Sequence, residues 1–178
     1  GGYIRAAQQH SQCLESWFTC IPGLKTVMPS TGQDAKGLLA ASIKDPNPVV
    51  FINHKKLLSM KSDVDEQEYT IPLGKADIKK EGSDITLIAT SYIVYLALKA
   101  AETLAMEGVS VEVIDPRTLY PFDKQTIIES VKKTKRVVIA HEAYVFGGFG
   151  GEIAAIIADE GFDYPEAPIK RVGAKWAP

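Results

Sequence analysis

His10, within the stretch AAQQHSQCLESWF at residues 6–18, lies between amide and hydroxyl side chains just ahead of an apolar, aromatic run. An unperturbed imidazole exchanges its proton near neutral pH, so one side chain can protonate a leaving thiolate or oxyanion and later recover the proton. By itself such a residue more often fills a turn. A second histidine, His141, precedes Glu142 at the end of an expected strand, on the side of an open α/β sheet where ligands gather. Taken alone it reads as structural. The run Gly147-Gly148-Phe149-Gly150-Gly151 falls between an expected strand and helix, where a phosphate-binding loop would also fall. Its spacing fails the finer test, because the third glycine of a G-x-G-x-x-G pattern counted from Gly148 lands on Ile153 and no G-K-[ST] follows. Glycines that permit a tight turn and close packing are the simpler reading. No nucleophile elbow, zinc pattern or C-x-x-C is present, and Cys13 and Cys20 form neither a disulfide framework nor a spaced metal motif. They read as free thiols of a reducing compartment, the cytoplasm or an organelle matrix.

The elements that must position these residues follow from periodicity. Leu14, Trp17 and Phe18 recur at helical spacing until Pro22-Gly23 stops the pattern. GLKTVMPS reads as a strand, and a helix follows with Ser30 and Gln33 as a capping box and Leu38, Leu39 and Ile43 as its core face. Asp45-Pro46-Asn47-Pro48 breaks that helix, and VVFIN has the continuous apolar character of a buried strand. Residues 54–70 lose all period and read as a linker. Beyond GKADIKKEG, which looks like an exposed edge strand, apolar strands alternate regularly with amphipathic helices as far as APIKRVG. That alternation implies right-handed crossovers and a mainly parallel sheet covered on both faces.

Composition fits this picture. With 178 residues, 46% hydrophobic and 24% charged, the chain can bury a substantial core, and its net charge of −2 supplies no basic field for nucleic acid or anionic lipid. No apolar run approaches the roughly 18 residues of a membrane span. The start at Gly1-Gly2-Tyr3, without an initiator methionine, reads as a fragment or processed chain.

Taken in order, the blocks QHSQ, PGLKTVMPST, DAKGLL, NPVVF, YTIPLGKADIKKEGSDITLIA, VEVIDPRTLYPFD, SVKKTKRVVIAHEA, GGFGGEIAA and FDYPEAPIKRVGA cover nearly the whole sequence. Together they resemble the beta subunit of thiamine-diphosphate-dependent 2-oxoacid and acetoin dehydrogenases. The resemblance implies an α/β chain in which residues 1–68 are the C-terminal part of a transketolase-like pyrimidine-binding domain plus linker, and residues 69–178 are a transketolase C-terminal-type domain with a mainly parallel sheet. It implies thiamine diphosphate with magnesium shared with an alpha subunit, a second beta subunit, a lipoyl acyltransferase and a small 2-oxoacid or acetoin substrate. The family's cofactor-triggering glutamate lies upstream of the segment matched here and has no counterpart.

His10 matches the family's histidine of the HSQ segment, which reaches the place where lipoyl arm, substrate and cofactor meet; Ser11 and Gln12 would support it. Ser42, Asp45 and Asn47 match positions whose backbone carbonyls hold a potassium ion in family members. Free carbonyls at a helix end followed by a proline-forced turn are suitable hard ligands. IDPRTLYPFD and HEAYVFGGFGGEIAA lean toward the acetoin branch, although pyruvate and branched-chain relatives share most of the pattern. Two other readings stay open. One is an enzyme of the transketolase or deoxyxylulose-phosphate-synthase type, which does not pass acyl groups to lipoate; the other is a non-enzymatic interaction module.

Overall fold

The computed structural model describes residues 6–176, so the Gly1-Gly2-Tyr3 start and the Ala177-Pro178 end lie outside the described residues. Two sheets form. The smaller contains β1 (Lys25–Val27) at its centre, with β2 (Val49–Phe51) parallel on one side and β6 (Thr118–Tyr120) antiparallel on the other. The larger has the order β3-β5-β4-β7-β8, from β3 (Asp77–Lys80), β4 (Ile85–Ala89), β5 (Val111–Asp115), β7 (Val137–Tyr144) and β8 (Lys170–Ala174). All its pairs are parallel except the edge pair β3–β5, as expected for a crossover-built sheet with an added edge strand.

Helices cover the larger sheet on both faces. On one, α3 (Tyr92–Met106) packs Val94, Ala97 and Ala101 onto Leu87, Ala89, Val111 and Val113. On the other, α4 (Lys124–Thr134) and α5 (Gly150–Glu160) pack Ile127, Val131, Ile153 and Ile157 onto Ile88, Ile114, Val137 and Ile139. Met28, just after β1, and Leu119, within β6, complete this second core, so one apolar cluster spans both sheets. Among the described residues no helix is long and apolar enough to cross a membrane.

Several local expectations change. The cap of α2 (Gly32–Lys44) is Thr31, one residue later than the Ser30/Gln33 reading: its hydroxyl accepts the Asp34 N–H at 3.0 Å and donates to the Asp34 carboxylate at 2.6 Å. Gln33 instead accepts the Asp65 N–H at 3.0 Å, helping to strap the non-periodic 54–70 segment over the helix. Of the expected core face only Leu38 is buried, whereas Leu39 is 46% and Ile43 77% exposed. VVF is a half-buried strand, not a fully buried one; among the described residues β2 has a strand neighbour on one side only. β6 was not anticipated at all. It is three residues long, carries no alternation of its own, and exists because the Met28 N–H finds the Arg117 carbonyl at 2.8 Å.

The two sheets are joined by a buried ionic network. Asp34, 2% exposed, receives Lys79 Nζ at 2.7 Å on one carboxylate oxygen and Arg117 Nη1 at 3.2 Å on the other. Lys79 also meets Asp77 at 2.6 Å, and the Arg117 guanidinium donates to the Lys75 carbonyl at 3.0 and 3.2 Å. Burial pushes the Asp34 carboxyl up, but hydrogen bonds from Lys79, Thr31 and Arg117 outweigh it and hold the group below its ordinary range. Asp115, at the end of β5, behaves oppositely. Its Oδ1 accepts the Arg117 N–H at 2.9 Å while its Oδ2 is buried without a partner, and burial pushes its pKa up to about 7 against the pull of Ser30 and Lys79.

These two carboxyls should therefore titrate with opposite effect on stability. A depressed folded pKa contributes stability that is present above the unfolded value and lost as pH falls through the folded one. Asp34→Asn should cost ~3 kcal/mol near neutrality, the usual consequence of stripping one partner from a buried ionic cluster, and less below about pH 4. Asp115, with a raised pKa, destabilises progressively as pH climbs from about 4 toward 7. Asp115→Asn should stabilise by ~1–3 kcal/mol at pH 8 and by little at pH 4. Denaturant titrations of both variants across pH check this, and parallel pH curves for the two would refute it.

Candidate active site

The carboxyl ends of the parallel strands in both sheets face a common crevice, the position where open α/β folds place their ligands. From the smaller sheet come Met28, Ile52, Asn53 and His54, just beyond β1 and β2; from the larger come Thr90 and Ser91 beyond β4 and Glu142 within β7. The residues after His10 close the crevice over a cavity of about 240 Å³. Its polar chemistry is concentrated. Glu15, in the five-residue helix α1 (Glu15–Thr19), is 4% exposed, and its pKa is raised first by burial and further by the negative charge of Glu142. The Cys13 thiol is pushed up to about 11 by burial and by Glu15, which makes it a poor nucleophile. His54 Nε2 lies 2.5 Å from Glu142 Oε2, and its Nδ1 accepts the Lys56 N–H at 3.1 Å.

His10 occupies an exposed one-turn 3₁₀ helix, Gln8–His10, beside this crevice. The imidazole is free to meet another molecule, and the turn is tied down through its backbone. The His10 N–H donates to the Ala7 carbonyl at 3.4 Å, the Ser11 hydroxyl donates to the same carbonyl at 2.9 Å, and Lys55 Nζ donates to the His10 carbonyl at 3.2 Å. Ser11 thus shapes the turn and makes no bond to the imidazole.

Ser42, Asp45 and Asn47 come together at the end of α2, with no described hydrogen bond linking them to His10. The side chains are already committed: Ser42 Oγ donates to the Leu38 carbonyl at 2.7 Å, and the Asp45 carboxylate takes Lys25 Nζ at 2.5 Å and both nitrogens of Asn47 at 2.9 and 3.1 Å. Lys25 holds the Asp45 carboxyl below its ordinary pKa. Backbone carbonyls are what this turn has left to offer a cation, although the Ser42 carbonyl also receives the Asp45 N–H in a long contact of 3.4 Å.

His141 and Glu142 do not end their strand, which continues to Tyr144. Being adjacent on β7 they point to opposite faces. His141 turns toward α5, where it is 5% exposed and neither ring nitrogen makes a full hydrogen bond; burial lowers its pKa, with the Ala143 backbone acting weakly the other way. The glycine run is built around this ring. A Cβ on Gly150 would sit 2.5 Å from His141 Nε2, and one on Gly148 would sit 2.6 Å from its Cε1 and 2.2 Å from the Tyr144 carbonyl oxygen.

This geometry tests the chain against the family's cofactor. The turn that could cradle a diphosphate is filled by an imidazole, and among the described residues no group of three or more His, Cys, Asp or Glu side chains converges as a divalent-metal site. The described residues do not by themselves fit thiamine diphosphate and magnesium.

Residues 74–178 match the transketolase C-terminal domain and residues 1–61 the transketolase pyrimidine-binding domain, and the chain belongs to this transketolase family. It is 52% identical over its whole length to the beta subunit of acetoin:2,6-dichlorophenolindophenol oxidoreductase from Bacillus subtilis, covering 52% of that protein. Over 97% of its length it is 46% identical to the 2-oxoisovalerate dehydrogenase beta subunit of Bacillus subtilis, covering 53% of that relative. It is 45% identical over its full length to the beta subunit of the pyruvate dehydrogenase E1 component of Rhizobium meliloti, covering 39% of it. A solved split-gene transketolase, described as an inactive beta4 tetramer, superposes with a TM-score of 0.75 at 25% identity over 90% of this chain and 52% of that one. The chain thus spans about half the length of the first two relatives named.

The His54–Glu142 pair and buried Glu15 escaped the sequence reading. A usable signal existed for His54, since it follows an expected strand at the end where an α/β sheet binds ligands. Glu142 shares the strand-end position noted for His141 in the sequence, whereas nothing local marked Glu15.

The glycine run makes a structural prediction. Gly148→Ala and Gly150→Ala should each destabilise by ~1–3 kcal/mol through overpacking. His141→Ala, which empties the space beside Gly150, should relieve Gly150→Ala more than Gly148→Ala, because the latter also meets a backbone carbonyl. A double-mutant cycle by chemical denaturation measures the coupling; equal relief for both would show that the ring is not what the glycines accommodate.

Proposed function

We propose that this chain is part of the beta subunit of a thiamine-diphosphate-dependent dehydrogenase that cleaves a 2-oxoacid or acetoin and transfers the acyl group to lipoamide. The observation that carries the reading is 45–52% identity over essentially the whole chain to beta subunits named for acetoin, pyruvate and 2-oxoisovalerate enzymes. The working assembly contains an alpha subunit and a second beta subunit, is served by a lipoyl acyltransferase, and resides in the cytoplasm or an organelle matrix. Thiamine diphosphate with magnesium, when bound, supplies the carbanion chemistry, and its diphosphate and metal ligands come from outside the residues described here.

Within this reading His10 handles a proton. An imidazole held by its backbone on an exposed turn can approach an incoming lipoyl group, donate to the departing sulfur or to a substrate oxygen, and be reprotonated by solvent. Ser11 keeps the turn in shape through the Ala7 carbonyl. The backbone carbonyls of Ser42, Asp45 and Asn47 hold a potassium ion that stiffens the α2–β2 turn; the internally satisfied side chains of Ser42 and Asp45 support this assignment.

The likeness to a split-gene transketolase favours a second reading, an enzyme of that type without transfer to lipoate. Lipoamide acylation by the full-length protein with its alpha partner separates the two. In that assay His10→Ala should lower acyl transfer by roughly 10²-fold or more with the fold retained; near-wild-type transfer would remove His10 from the chemistry.

The cation site predicts a salt effect. Potassium should raise the melting temperature above that in an equal concentration of tetramethylammonium, because selective binding to the native state stabilises by mass action. Coincident melting curves would eliminate the site.

A further inference from the structure

The turn that presents His10 is not self-supporting. A three-residue 3₁₀ helix and a five-residue α-helix are far too short to hold a shape alone, so tertiary contacts must set the position of residues 8–19. A long-range hydrogen bond reaches the turn from Lys55, to the His10 carbonyl.

Lys55 is placed by its neighbour. His54, 8% exposed, is gripped on three sides: its Nδ1 accepts the Lys56 N–H, its Nε2 meets Glu142 Oε2 at 2.5 Å, and its ring stacks on Tyr92 with centroids 5.1 Å apart and planes 18° from parallel. Because Nδ1 is an acceptor, the ring proton sits on Nε2, the nitrogen that lies against Glu142 Oε2. Glu142 belongs to β7, flanked by β4 and β8 within the larger sheet, and Tyr92 opens α3 on the same sheet. The cavity beside this pair is walled on its other side by Gln12, Cys13 and Glu15, the residues that immediately follow the His10 turn.

We propose that Glu142 and His54 are positioning residues for His10, transmitting the rigidity of the larger sheet through Lys55 and the crevice wall to the exposed turn. The proposal rests on the reading of His10 as the proton-transfer group, but the clamp itself is testable without it. In this role both residues act through the turn and not by contact with the reacting atoms. A relaxed turn would lower the fraction of encounters in which the imidazole is correctly placed while leaving substrate binding as it was.

The test uses the full-length protein assembled with its alpha subunit and two variants. Glu142→Gln keeps the side chain's shape and removes its charge; Lys55→Met keeps the aliphatic stem and removes the donor at an exposed position. Glu142→Gln should accelerate amide hydrogen exchange roughly tenfold in residues 8–15 and 52–57 while leaving β4 and β5 unchanged. It should lower kcat for lipoamide acylation by about tenfold at unchanged KM for the 2-oxo substrate. Lys55→Met should accelerate exchange in residues 8–15 alone, and it decides the matter should Glu142→Gln not fold. Unchanged exchange in residues 8–15 in the folded variants overturns the clamp. If exchange rises as expected yet His10→Ala leaves acylation intact, the clamp stands and the catalytic reading of His10 falls, so the two failures are distinguishable.

Discussion

The buried carboxylate of Asp34 is the interaction on which the placement of everything else depends. It sits in the first turn of a helix belonging to the smaller sheet, and its two oxygens take a lysine from the edge of the larger sheet and an arginine from the segment that crosses between sheets. Removing three charges from water is costly, and attraction repays that cost only where the remaining hydrogen-bonding capacity is also met. Here it is met: Thr31 bonds the carboxylate, and Lys75 and Ala76 carbonyls accept from the guanidinium. An apolar contact of equal area would tolerate sliding. This arrangement tolerates one relative position of the sheets, which fixes the crevice between them.

That dependence explains what could be read from the sequence. The alternation of β4, α3, β5, α4, β7, α5 and β8 was legible because each element carries its own period, with α3 ending just before Gly108 and α4 starting at Asp123, its N-cap. The edge position of β3 was legible from its charges. Errors cluster where partners lie far away along the chain. Leu39 and Ile43, four residues apart, share a helix face beside Leu38, yet the crossover presents only Leu38 of the three to the core. Thr31 and Ser30 are indistinguishable as caps until Asp34 is drawn to Lys79 and Arg117. β6 has no pattern of its own because its partner, Thr26-Val27, is contributed from more than ninety residues upstream.

The candidate site divides along the same line. His10 was a candidate from residue type and neighbourhood, and the structure places it on an exposed local turn. The glycine run was visible too, and its non-phosphate spacing agreed with what it does, which is to let α5 begin against the His141 ring. The residues that make the crevice could not be found this way. Glu15 lies in a sequence that looks like an ordinary solvated helix face, and only the closing of α1 over the crevice buries it.

An exposed side chain proposed to transfer a proton and a buried ion network make opposite demands on the chain. The imidazole needs access to a partner and freedom from strong hydrogen bonds, so it is presented by a turn with almost no secondary structure. Such a turn has little intrinsic order, and any order it has must be imported from elements whose stability is near that of the whole fold. The larger sheet, with helices on both faces, is such an element; the smaller one, three strands of three residues each, is not. A side chain of β7 that reaches the segment beyond β2 is therefore the route by which the proposed clamp carries the larger sheet's order toward the exposed turn.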